Sequence, residues 1–198
     1  MSTPRNLERG SLKIKTGYLK SGMDIMDQGR ILLKLICDKI GLGTLKLDTF
    51  DERLCLQKKI YCVQMAGLDL GYRYNWHIKG PYCPALTRVT FLLKEDIEND
   101  GKDLKKYILS SEADASIETA KGLWNIPHGA RETAWLELLV SLHYLKTIAY
   151  WPKGIATKKE VIARLLDLKP AFKDKTNLID QAWERLREFG LLDKRSLA

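Results

Sequence analysis

A mainly α fold, a compact helical domain with a small β-hairpin element, is what the sequence predicts, and three observations predict it. Apolar residues recur at helical spacing through most of the chain. Two Thr-x-x-Glu patterns, Thr49-Phe-Asp-Glu52 and Thr157-Lys-Lys-Glu160, mark helix starts, because the threonine hydroxyl takes a free amide while the glutamate returns to the threonine N–H. Only one stretch, Tyr72 to Ile78, alternates with a period of two.

In chain order, residues 1–22 read as a basic tail, and Asp24 to Ile40 as a first amphipathic helix stopped by Gly41. Thr49 opens a second helix that runs to about Ala66. Its apolar residues surround nearly the whole circumference, which predicts a central, buried helix. Gln57 and Gln64 form its polar strip, and Lys58 falls among Leu54, Tyr61 and Met65, where it must either snorkel outward or find a partner. The alternation of Tyr72, Tyr74, Trp76 and Ile78 with Arg73, Asn75, His77 and Lys79 predicts a strand with its apolar set on the core. Pro81 or Pro84 suits the first turn of a third helix that ends at Asn99-Asp-Gly101, and a short helix is expected around Leu104, Tyr107 and Ile108.

Ser110 to His128 is the least patterned stretch and reads as a connection between two halves. From about Arg131 to Ala149 the stripe Trp135, Leu138, Leu139, Leu142 and Leu145 predicts the longest helix. Two more helices follow, one ending at Lys169-Pro170 and one closed by Gly190. Helix, turn, helix and Gly-Leu-Leu give a winged-helix-like C-terminal pair. The second helix carries Asp180, Glu184 and Glu188 against Arg185 and Arg187, and acids on a reading face oppose phosphates. The expected organisation is tail 1–22, helical core with short strand 23–110, and helical C-terminal half 111–198, packed together.

With 198 residues, 45% hydrophobic and 29% charged, the chain can bury an ordinary core, which excludes a disordered protein. No apolar run approaches the roughly 18 residues of a membrane span, and the N-terminus lacks a secretion signal, so a cytoplasmic protein without a membrane partner is expected. The formal charge is +8, with half of the excess in residues 1–20, while residues 95–118 hold eight acids against three lysines. That describes a dipolar body with a basic tail rather than a uniformly basic nucleic-acid surface.

Four cysteines without an export signal read as thiols. Cys55 and Cys62, seven apart on one helix, lie about 10.5 Å apart along its axis, whereas two zinc-bound sulfurs lie within roughly 4.6 Å. No metal and no cofactor are expected. Nucleophile elbows, phosphate loops and dinucleotide turns are missing from the sequence. Arg73 and His77 stand close together, as in some ribonuclease sites, but the alternation places them on a strand rather than a helix, and no residue is assigned as catalytic.

Leu56-Gln-Lys-Lys-Ile-Tyr61, followed by Tyr74-Asn-Trp76 and Lys79-Gly-Pro-Tyr82 with Leu86, resembles the pattern of the YwgA-like proteins, which are similar in turn to the SocA-like, or Panacea, antitoxin domain. Leu168-Lys-Pro170 and the Ala182…Leu186…Gly190-Leu191 ending are similar to the C-terminal part of those chains. The likeness covers residues 50–95 well and 130–192 loosely. Lys79 stands where the family has Tyr, and Cys83 where Ser is common as a helix cap. The resemblance implies a helical domain with a small β element and, in the antitoxin branch, neutralisation of a partner toxin.

The expected function is therefore a non-enzymatic antitoxin-like or accessory protein of a prokaryotic toxin–antitoxin or anti-phage defence module. It would bind a partner protein, a toxin or defence effector, through Gln57, Lys58, Tyr61, Trp76, Lys79, Gly80, Pro81 and Tyr82. The alternative is a winged-helix-type regulator that binds nucleic acid through Arg5, Arg9, Lys13, Lys15, Arg185 and Arg187.

Overall fold

A computed structural model describes residues 12–14, 25–99, 107–152 and 154–193. Among them run β1 (Leu12–Ile14), α1 (Ile25–Lys39), α2 (Phe50–Met65), α3 (Pro84–Asn99), β2 (Tyr107–Leu109), α4 (Ser111–Leu123), α5 (Glu132–Thr147), α6 (Lys158–Leu168) and α7 (Thr176–Glu188), with a 3-10 turn at Pro170–Phe172. The fold is mainly α. The chain divides into two compact units, the first holding the described residues through Asn75 together with Cys83–Lys121, the second Trp76–Tyr82 and the described residues from Gly122.

In the first unit α2 is the buried element, as its all-round apolar sequence requires. Thr49 forms the full capping box, accepting from Glu52 N–H at 3.2 Å while Glu52 accepts from Thr49 N–H at 2.8 Å. Ile60, Cys62 and Val63 are completely buried, as is Ile36 of α1, and each such aliphatic side chain contributes roughly 1.5–3 kcal/mol. Pro84 takes the first position of α3, where its missing N–H costs nothing. Cys83 stands at the cap, and its sulfur accepts the Leu86 N–H at 3.5 Å. Arg30 and Lys39 of α1 pair with Asp96 and Asp114, so the acidic stretch is partly matched within its own unit.

In the second unit α5 is central. Trp135, Leu136, Leu138, Leu139 and Leu142 are fully buried, and α6 and α7 pack against this helix. The Trp135 indole donates to the Leu123 carbonyl at 3.0 Å. Thr157 repeats the capping box with Glu160 at the start of α6.

The β element and two connections differ from the sequence reading. The β-hairpin element expected at Tyr72–Ile78 is not a ladder: that segment is extended but holds only an isolated bridge position at Asn75. Alternation shows which side of an extended chain is apolar, whereas a strand needs a backbone partner. Strands form instead where Leu12, Lys13 and Ile14 pair antiparallel with Leu109, Ile108 and Tyr107, replacing the helix expected around Tyr107. The stretch from Ser110, read as a connection, is α4, started by the Ser110 hydroxyl, which accepts the Ala113 N–H at 3.2 Å. Small Ala113 and Ala120 with Ile117 and Leu123 form its narrow buried stripe, too sparse to stand out in the sequence.

Candidate functional site: a latched turn at residues 76–82

The two polar residues of the α2 strip are spent on backbone groups rather than on a solvated face. Gln57 is buried; its Nε2 donates to the Cys83 carbonyl at 2.9 Å and to Thr87 Oγ1 at 2.8 Å, while its Oε1 accepts the Cys83 N–H at 3.1 Å. Gln64, two helical turns on, does the same to Tyr72, donating to its carbonyl and accepting its N–H at 3.1 Å each. A side-chain amide offers one donor and one acceptor side by side, as a neighbouring strand would. These clamps satisfy the backbone of an extended segment that lacks a β partner.

Lys58 is 1% exposed, so of the two outcomes left open for it, snorkelling outward is not the one taken. Tyr61 is buried and meets Tyr74 edge to face at 4.8 Å. Side chains buried in this way offer no surface to a partner, and the exposed part of the candidate set lies in the chain from Trp76 to Tyr82.

That chain, in the second unit, is a tight turn. His77 and Gly80 exchange two backbone hydrogen bonds, at 3.2 and 2.8 Å, and Gly80 adopts φ +77°, which glycine tolerates and other residues rarely adopt. A Cβ at Gly80 would also collide with the Ser141 hydroxyl of α5. Trp76 packs on Tyr144 at 5.9 Å, and the His77 ring lies 5.5 Å from that of Tyr82. Pro81 is buried and Tyr82 half-buried.

Below the turn lies an ion pair that sequence reasoning did not assign to the site. Lys169 Nζ donates to Glu137 Oε1 at 2.5 Å and to the Ile78 carbonyl at 2.8 Å, and stands 5.4 Å from the centre of the Trp76 ring. Lys79 Nζ approaches the other oxygen, Oε2, at 3.7 Å. Burial lowers the Lys169 pKa from the ordinary lysine value, and the Glu137 carboxylate beside it raises it back in part. The available signal was Glu137 itself, an acid set in the most apolar helix of the chain, which requires a partner.

Ile78 is the other surprise. The apolar alternation holds through Trp76 and fails at Ile78, which turns outward and is 81% exposed. Held by its own carbonyl on a buried lysine, this residue presents its side chain at the tip of a fixed turn. Arg73 and His77 are exposed.

The nucleic-acid candidates are placed as follows. Arg5, Arg9 and Lys15 lie outside the described residues, and of Lys13 only the backbone, in β1, is described. Arg185 donates to the Gly122 carbonyl at 2.7 Å and covers the Trp135 ring, so its guanidinium serves packing. Arg187 is tied to Glu184 at 2.5 Å on the same helix.

Cys37, Cys62 and Cys83 are buried free thiols, and Cys55 is half-buried. Burial, with Asp38 nearby, pushes the Cys37 thiol up to about 12. Among the described residues no cluster of three or more His, Cys, Asp and Glu side chains is placed to hold a metal, and no helix is long and apolar enough to cross a membrane. No protein-family model, no curated protein and no solved structure matches this chain.

Proposed function

We propose that the chain is a non-enzymatic antitoxin-like or accessory protein of a prokaryotic toxin–antitoxin or anti-phage defence module, acting by binding a partner protein through the turn at residues 76–82. The observation that carries the reading is Ile78: a large aliphatic side chain, 81% exposed, on a turn whose backbone is fixed from beneath by Lys169. A fixed turn loses little conformational entropy when it docks, which is what a binding element gains from such a support. The likeness of Leu56–Tyr61 and Lys79–Tyr82 to YwgA-like and SocA-like chains supplies the antitoxin context.

The test is a tagged pull-down of the full chain from its native host at physiological salt, with nuclease treatment, repeated with Lys79→Glu. A stoichiometric protein partner that survives nuclease and is lost with the variant is expected. Recovery of nucleic acid alone, lost on nuclease treatment, would overturn the reading in favour of the winged-helix-type regulator.

A further inference from the structure

We infer that the surface meeting this turn is an apolar protein pocket edged by a carboxylate, with Ile78 as the inserted side chain, Lys79 as the charge contact, and Lys169 with Glu137 as a positioning pair. The inference rests on the partner-binding reading above and deepens it.

Charge decides the partner's chemistry. Two ammonium groups, Lys169 and Lys79, share the single carboxylate of Glu137. Lys169 takes the shorter contact and is buried, whereas half of the Lys79 side chain is exposed and its contact is the longer one. Among the described residues no second acid lies within ion-pair distance of Lys79, so one positive charge remains beside Ile78 for an outside acid to meet. Ile78 supplies the apolar half. Buried in a pocket, it serves as one anchor in a larger interface.

The same quantities speak against other surfaces. One isoleucine and a single lysine are too little to hold a protein on an anionic bilayer, where each basic residue adds only a small attraction. A phosphate backbone would reward the lysine and leave the isoleucine in water. A protein pocket uses both.

Lys169 and Glu137 touch no partner in this scheme. They act by fixing the Ile78 carbonyl, so that the side chain one atom away projects in one direction. The Gly80–Ser141 contact leaves no room for a side chain on the inner side of the turn, which keeps the outer side as the presenting one.

The experiment places a photo-crosslinking residue, p-benzoylphenylalanine, at Ile78 and, in separate full-length chains, at Phe50 and Tyr150, which are also exposed. Each chain is produced and irradiated in host cells, with its fold verified by circular dichroism. The expected result is a discrete protein adduct from position 78, about tenfold stronger than from 50 or 150. Its cross-linked peptide should be apolar with Asp or Glu close by. The double variant Lys169→Met/Glu137→Leu, which removes the pair without stranding a charge, should lower the adduct several-fold while Ile78's replacement stays in place.

A discrete adduct from 50 or 150 but not from 78 overturns this inference and the turn as the binding element, and leaves standing only that the chain binds a protein partner. No discrete adduct from any position overturns both. An adduct to lipid or nucleic acid, or to a protein segment without acids, overturns the pocket described here, as does a double variant that folds and cross-links at full strength.

Discussion

Gln57 forms with Cys83 the two hydrogen bonds that a strand residue forms with its neighbour, a donation to the carbonyl at 2.9 Å and an acceptance from the N–H at 3.1 Å. A helix thus supplies, through one side chain, what a sheet would supply through its backbone. Removing the carboxamide strands two buried polar groups at once. Gln57→Leu is expected to cost about 2–4 kcal/mol in urea unfolding, and Gln64→Leu about 1 kcal/mol because Gln64 is half-buried. Gln57→Glu should be as damaging as Gln57→Leu, since a carboxylate cannot donate to the Cys83 carbonyl.

The Ser141 hydroxyl is fully buried and has no hydrogen-bond partner among the described residues. Ser141→Ala should therefore be neutral or stabilising by up to about 1 kcal/mol. Gly80→Ala meets both the positive φ and that hydroxyl, and should destabilise by about 2 kcal/mol or more. Combining the two should recover part of the loss, leaving the backbone share. Thermal melts of the four proteins form the cycle that checks this.

The buried pair behaves asymmetrically under mutation. Lys169→Met leaves Glu137 with only the distant Lys79, and Glu137→Leu leaves two lysines unmatched; each is expected to cost about 3–5 kcal/mol. The double variant should cost far less than the sum of the two. Denaturant titration of all three tests it, and additive losses would contradict a shared ion pair.

At the start of α3 the capping atom is a sulfur. Cys83→Ser places a stronger acceptor opposite the Leu86 N–H, from which the sulfur stands 3.5 Å, and should stabilise by up to about 1 kcal/mol. A rise in melting temperature for Cys83→Ser and a fall for Cys83→Ala are the expected pair of results.

Cys37 sets an alkaline limit. Its folded pKa, about 12, stands above the ordinary thiol value, so the native state holds the proton longer than the unfolded chain does. Stability from this group is complete below about pH 8.5 and falls as pH rises toward 12, by at most about 1.4 kcal/mol per pH unit. Unfolding curves measured across that window should show the decline, and Cys37→Ala should remove its share. The native thiol should also resist alkylation at neutral pH.

Much of the fold is legible in the residues themselves. Periodicity and capping chemistry are local, so Thr49 and Thr157 mark two helix starts, and the all-round apolar wheel of α2 identifies a buried helix. Small-residue stripes such as Ala113 and Ala120 are legible only once a neighbour is present, which is why α4 reads as a connection and why Tyr107 reads as helical before a strand 93 residues upstream of Tyr107 pairs with it. Of the candidate site, the sequence places Trp76, Lys79, Gly80, Pro81 and Tyr82 in one short segment by adjacency alone. Gln57, Lys58 and Tyr61 carry the right chemistry for a surface, yet tertiary packing turns them inward, because a polar side chain can satisfy a buried backbone as readily as it can face water. The outward turn of Ile78 and its support by Lys169, 91 positions later, were decided in the same way. A period-two pattern assigns a face to each residue of an extended chain, but where that chain bends, and which distant charge receives its carbonyl, depends on contacts that no local spacing records.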